Sequence, residues 1–354
     1  MTPLPLERLS QPLPQVGAVL CYDSELDAPR RYDGNKHWKL TGSCVLLAPQ
    51  TILTIGHTMV PRDQSPERGR FAAFFPYTGL LPIAEMHWES QVRGDNLALA
   101  RLEEPVPIWP PLRQKKISSA FKTEGRALVC GYGSWSGESA PFEGLQGLQQ
   151  QNDVSLGPPE APGQEGWRHY DNLDLSWSAA ENRLIAGRGN SGGPFLFAQD
   201  DGSRVVAGIS RENTGDQQAG SWITWQRTRW LAGAIPEPDQ GGAGPRSDWR
   251  PLRITAEEGR AERFAVPPGT RQIRVTLNAS QGMRLQIGVV PSSQADGLLA
   301  RLVDDKEAAG RFLCRTADLP EGTGEITVGV CRVASSPVQA GQEEVLAQLC
   351  VAFL

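Results

Sequence analysis

The most constraining feature of this chain is how often it is punctuated. Short alternating apolar runs recur at residues 16–21, 41–47, 51–55, 71–75, 97–102, 127–132 and 205–209, and each is soon stopped by Gly, Pro, Asp or Asn. Glycine (38) and proline (28) together approach a fifth of the 354 residues, which leaves little room for long helices. Short strands with turn signals about every 8–12 residues indicate an all-β barrel or sandwich. Residues 226–235 form the best helical candidate in this half and would close a first domain spanning residues 1–235.

Residues 236–249 (PEPDQGGAGPRSDW) are rich in Pro and Gly and poor in apolar side chains, so they read as a linker. Beyond them, residues 272–278, 284–290, 325–333 and 345–354 alternate or run apolar, with one helical stretch at 295–306. The expectation for residues 250–354 is a small β-sandwich with a recognition or regulatory role. Residues 134–166 are too long and too rich in Gly and Pro for a tight connection, and a loop of that length is often functional or disordered.

Charge and cysteine content narrow the function. A formal net charge of −5 gives no electrostatic reason to expect a nucleic-acid partner. No apolar stretch approaches the ~18–20 residues of a membrane span. The six cysteines (Cys21, Cys44, Cys130, Cys314, Cys331, Cys350) lack C-x-x-C spacing and a His-rich partner segment, so neither a metal nor another cofactor is expected. The first residues carry no basic segment followed by an apolar one, which implies a cytoplasmic protein with reduced, buried thiols. His37, His87 and His169 have no ligand-spaced neighbours and read as structural or surface groups.

The chemistry concentrates in two segments. Gly187-Arg188-Gly189-Asn190-Ser191-Gly192-Gly193-Pro194 leads into the apolar run Phe195-Leu196-Phe197. A serine framed by glycines sits in a tight turn with its hydroxyl accessible and neighbouring N–H groups able to converge, which suits a nucleophile beside an oxyanion hole. Upstream, Thr51-Ile52-Leu53-Thr54-Ile55-Gly56-His57-Thr58 is a strand running straight into a histidine. Together these resemble the chymotrypsin/trypsin-like serine peptidases, with their T-A-A-H, D-I-A-L-L-K-L and G-D-S-G-G-P segments in that order. Cys130-Gly131-Tyr132-Gly133, residues 205–210 and residues 222–235 are similar to further elements of that family.

The resemblance implies a double β-barrel over roughly residues 14–235, with Ser191 as nucleophile and His57 as general base. The N–H groups of Gly189 and Ser191 would form the oxyanion hole. It also implies a primary pocket built from Ile185, Ser210, Glu212 and Gly220. Without an acid at the pocket base, an apolar or small side chain is the expected preference.

Asn190 stands where the zymogen-activated branch has Asp, and Thr58 stands where that branch has Cys. Both features resemble the bacterial HtrA-like and glutamyl-endopeptidase-like members, which need no activating cut. In Gly94-Asp95-Asn96-Leu97-Ala98-Leu99-Ala100-Arg101-Leu102, ungapped alignment puts Asn96 at the acid position, whereas a one-residue bulge would restore Asp95. Asp95 is taken as the working acid.

The implied function is a serine endopeptidase acting on protein or peptide substrates, of narrow specificity and restrained by a regulatory protein partner. The alternative is a catalytically silent scaffold of the same fold in a bacterial stress or defence system. Residues 262–280 are faintly similar to sandwich domains appended to bacterial peptidases, without the peptide-binding loop of a PDZ module.

Overall fold

A computed structural model describes residue 6 and residues 9–22, 38–59, 71–88, 97–106, 113–114, 125–133, 135–136, 147–156, 185–186, 189–200, 203–214, 217–222, 244–255, 258–280, 285–304, 311–333 and 344–354. Six strands close into an antiparallel barrel: β1 (Val16–Tyr22), β2 (Trp38–Ala48), β3 (Thr51–Ile55), β4 (Phe71–Phe75), β5 (Gly79–Trp88) and β6 (Leu97–Leu102). Their order around the barrel is β1-β2-β3-β6-β5-β4, with β4 returning to β1.

The apolar runs are continuous rather than alternating because both faces of these strands are covered. Val19, Cys44, Leu46, Ile52, Phe71, Ala73, Phe75, Ile83, Ala100 and Leu102 come from all six strands and fill the lumen. Val16, Ala18, Leu20, Val45, Leu53, Ile55, Phe74 and Leu99 point the other way, into a second core. Every residue of β3 and β4 is therefore buried.

That second core is shared with a sheet ordered β10-β8-β12-β13-β14. Its strands are β8 (Gly125–Gly131), β10 (Gln150–Leu156), β12 (Pro194–Ala198), β13 (Arg204–Thr214) and β14 (Gln217–Trp222). β7 (Arg113–Gln114) pairs parallel with β13, and β9 (Trp135–Ser136) pairs with β11 (Ile185–Ala186). Among the described residues this sheet does not close into a barrel.

Residues 134–166 are not a loop throughout. Gln150–Leu156 pairs with β8 along its whole length. It is the outer strand of this order, and its polar sequence QQNDVSL hides it from a hydrophobicity reading. The helix expected over 226–235 lies outside the described residues.

The C-terminal strands form two sheets. One is ordered β15-β21-β17-β19: β15 (Ser247–Thr255), β17 (Gln272–Ala279), β19 (Phe312–Asp318) and β21 (Glu344–Phe353). The other is β16 (Arg260–Ala265), β20 (Glu325–Arg332) and β18 (Leu285–Pro291) in that order. Leu252, Phe264, Ile273, Val275, Ile287, Val328, Val330, Leu349 and Val351 from both sheets meet in one core, which makes this half a sandwich.

Two boundaries move. Ser247 to Trp249, placed in the linker by composition, already pair with Ala352 to Cys350. The helix expected over 295–306 begins only at Leu298, as α1 (Leu298–Asp304), and residues 305–306 lie outside the described residues. It lies close on the three-stranded sheet, where a Cβ at Gly288 would come within 2.6 Å of the Leu302 side chain.

The sandwich does not hang from its linker. Phe312 of β19 is buried in the core shared by the barrel and its neighbouring sheet, its ring centroid 5.1 Å from Phe74 and 6.3 Å from Tyr132. Tyr77, at the β4–β5 turn with φ of 66°, packs against Cys350 and Ala352, and its N–H donates to Thr276 Oγ1 at 3.0 Å. The Cys314 residue is exposed, but its thiol turns to the Thr78 carbonyl at 3.6 Å. No disulfide joins any of the six cysteines.

Burial pushes the Cys44 and Cys350 thiols and the Tyr77 and Tyr132 phenols far above their ordinary values. A raised native pKa stabilises below the unfolded value and loses that contribution above it. Unfolding free energy should therefore hold level from neutral pH and fall above the ordinary thiol value of 9.0. Denaturant titrations across that range check the fall, and a stability that kept rising with pH would contradict it.

Candidate active site

His57 sits in a single 3-10 turn, Gly56–Thr58, that continues directly from β3. Its neighbours fix that turn to β2. The Thr58 hydroxyl donates to the Ile55 carbonyl at 2.7 Å and lies 3.0 Å from Thr54 Oγ1, which in turn donates to the Ser43 carbonyl at 2.7 Å. The imidazole itself is half-buried.

Ser191 occupies the turn before β12 and is also half-buried. Gly189 and Gly192 around it have φ of 97° and 88°, conformations that side chains rarely adopt. The turn is tied from three sides. Ser43 N–H donates to the Ser191 carbonyl at 2.7 Å, and the Ser43 hydroxyl donates to the Gly189 carbonyl at 2.7 Å. Gly192 N–H donates to the Ser210 carbonyl at 2.8 Å, while Ser210 N–H donates to the Gly193 carbonyl at 2.7 Å. Asn190, buried, accepts the Gly133 N–H on its Oδ1 at 3.1 Å.

The two segments meet at Gly42 of β2. A methyl group there would overlap the Thr58 side chain and sit 2.7 Å from the Ser191 carbonyl oxygen. The histidine turn, at the end of a barrel strand, and the serine turn, at the start of a strand of the neighbouring sheet, thus crowd the same point on Gly42. The fold brings together the segments of His57, Gly189 and Ser191 that the sequence separates by more than a hundred positions.

Asp95 and Asn96 lie outside the described residues. The first described residue after them, Leu97, pairs with Ile55, so β6 begins at the end of β3 that leads into His57.

Of the residues expected to line a pocket, Ser210 is buried and clasped to the serine turn as above. Gly220 of β14 pairs with Ser210, and Glu212 pairs with Ala219 after a register shift. Ile185 pairs with Ser136, and β11 lies beside β14. The backbone therefore gathers Ile185, Ser210, Glu212 and Gly220 on neighbouring strands next to the serine turn.

His87 is a surface group, 3.6 Å from Glu85, whose carboxyl is held below its ordinary value first by the hydrogen bond from Arg101 at 2.7 Å. His37 and His169 fall outside the described residues. No group of three His, Cys, Asp or Glu side chains that could hold a metal occurs among the described residues, and no described helix is long and apolar enough to cross a membrane.

Sequence reasoning missed Ser43, which holds both the histidine and serine segments. Its only sequence mark is the small pair Gly42-Ser43 inside an otherwise bulky strand. No family model matches the chain, and no curated protein matches it.

Proposed function

We propose that the chain is a serine endopeptidase of the chymotrypsin/trypsin-like type, with the β8–β14 sheet as its second barrel. Ser191 attacks the scissile carbonyl of a protein or peptide substrate, and His57 takes the hydroxyl proton and returns it to the leaving amine. Asp95 orients the imidazole, and the Gly189 and Ser191 N–H groups receive the oxyanion. The observation that carries this reading is the convergence of the His57 and Ser191 turns on Gly42.

Asn190 supports an enzyme that needs no activating cut. The residue before the serine is anchored by a neutral hydrogen bond to Gly133, where the activated branch relies on an ion pair with a new N-terminus. Restraint of such an enzyme would come from narrow specificity, with an apolar or small side chain preferred above Ile185, and from a regulatory protein partner. The second reading, a silent scaffold, draws on the ungapped register that puts Asn96 at the acid position. An Asn there favours the wrong imidazole tautomer and costs on the order of 10⁴ in turnover.

Labelling with a fluorophosphonate separates the two readings. The wild type should react at a single serine, Ser191→Ala and His57→Ala should abolish the reaction, and Asp95→Ala should reduce it far more than Asn96→Ala. A wild type that stays unlabelled, alone and in native lysate, favours the scaffold.

A further inference from the structure

The sandwich reaches the serine turn through an unbroken set of buried polar contacts. Gln348 of β21 accepts the Gln149 N–H at 2.9 Å and donates to the Gln149 carbonyl at 3.0 Å, so its side-chain amide pairs with backbone as a strand would. Asn278 of β17 donates to Gln348 Oε1 at 2.6 Å and to the Gly147 carbonyl at 3.3 Å. Gly147 N–H donates to the Tyr132 carbonyl at 2.8 Å, and the Tyr132 N–H donates to Ser43 Oγ at 2.9 Å. Ser43 then holds the Gly189 and Ser191 carbonyls, and the next residue after Tyr132, Gly133, holds Asn190.

Gln348, Asn278 and Gln149 are all 0% exposed. Polar groups this deeply buried cost stability unless satisfied, and an apolar interface would serve simple adhesion at least as well. What the amides add is direction: they fix residues 147–149 in register, and those residues fix the end of β8 that faces the serine turn. Phe312, packed on the Tyr132 ring from the same sandwich sheet, acts on the same hinge point.

We propose that Gln348 and Asn278 are positioning residues for the Ser191 turn, so that the C-terminal sandwich is part of the machinery that holds the oxyanion donors in place. This rests on the reading of Ser191 as the nucleophile. The route runs through the backbone of Gly147 and Tyr132 and through Ser43, and it requires no contact between the sandwich and the substrate. A ligand or partner that shifted β21 against β10 would change the geometry of residues 189–191 by the same route.

The test compares Gln348→Met and Asn278→Leu, which keep volume approximately while removing the amides of the relay, with Val328→Ala, which weakens the sandwich core away from it. In the full chain, Gln348→Met should slow fluorophosphonate bond formation at Ser191 about tenfold, within the range of network couplings, with the probe's binding constant unchanged. Amide hydrogen exchange across residues 189–193 should quicken. Val328→Ala should lower stability and leave the labelling rate at the wild-type value, with exchange across residues 189–193 no faster than its loss of global stability accounts for. Unchanged labelling and exchange in Gln348→Met, or equal shifts in Val328→Ala, would overturn the proposal. If Gln348→Met does not fold, Asn278→Leu carries the comparison. If the wild type is never labelled, the peptidase reading fails by itself, and the exchange measurement still decides whether the sandwich positions the turn.

Discussion

Phe312→Ala should destabilise the whole chain by about 3–5 kcal/mol, the usual cost of emptying a buried aromatic site, and it should do so without splitting the unfolding transition. Phe312 belongs by sequence to the sandwich, yet its ring is 2% exposed in the core shared by the barrel and the β8–β14 sheet. Its neighbours Phe74 and Tyr132 belong to the front half. Removing the ring leaves a cavity that neither half can fill alone, because the surrounding strands are fixed by their own ladders. Around it, Gln149 and Gln348 exchange hydrogen bonds, and Tyr77 packs on Cys350. Two halves so joined should melt together in calorimetry. Two resolved transitions, with the variant shifting only the later or only the earlier one, would sink this expectation.

This docking is the feature that was hardest to see in the sequence. Strands such as Thr51–Ile55 and Phe71–Phe75 were legible because burial on both faces demands unbroken apolar runs. The strands that escaped are those with one exposed face or edge. Arg260–Ala265 turns polar residues to solvent, while Gln150–Leu156 and Gln217–Trp222 are polar in sequence and stand at the two ends of their sheet's strand order. The contacts between the halves have no local signal at all. Gln149 and Gln348 are 199 positions apart, and a glutamine reads as surface until its partner is known.

The site divides in the same way. Glycines beside Ser191 mark a turn because only that backbone permits positive φ, and the strand before His57 announces where it ends. Ser43 was hard to find because its role lies in bonds to Gly189 and Ser191 of the serine turn, Thr54 of β3 and Tyr132 after β8, three distant parts of the chain. The register of Asp95 against Asn96 depends on backbone geometry just ahead of Leu97, which apolar periodicity does not encode.

Gly192→Ala should therefore be among the most damaging single methyl groups at the described glycines. Gly192 has φ of 88°, which costs a side-chain-bearing residue roughly 1–2 kcal/mol. Space makes it worse. The added Cβ would overlap both the Ser43 carbonyl oxygen and Thr54 Oγ1, two atoms that already bond to each other at 2.7 Å. Neither can retreat cheaply, since Ser43 is the donor to Ser191 and Thr54 steadies the turn of His57. Overpacking of this kind adds roughly 1–3 kcal/mol, for a total of roughly 2–5 kcal/mol in chemical denaturation. The same displacement separates the serine and histidine turns at their common support. Fluorophosphonate labelling of Ser191 should fall at least about a hundredfold, because a misplacement near 1 Å can cost that much. The comparison with Gly269→Ala is instructive: φ there is 86°, but nothing lies within 4 Å of the added methyl. That variant should show only the backbone cost and label at the wild-type rate. Equal labelling by both variants would mean that the turn tolerates the overlap, and that the histidine and serine segments do not depend on their shared seat.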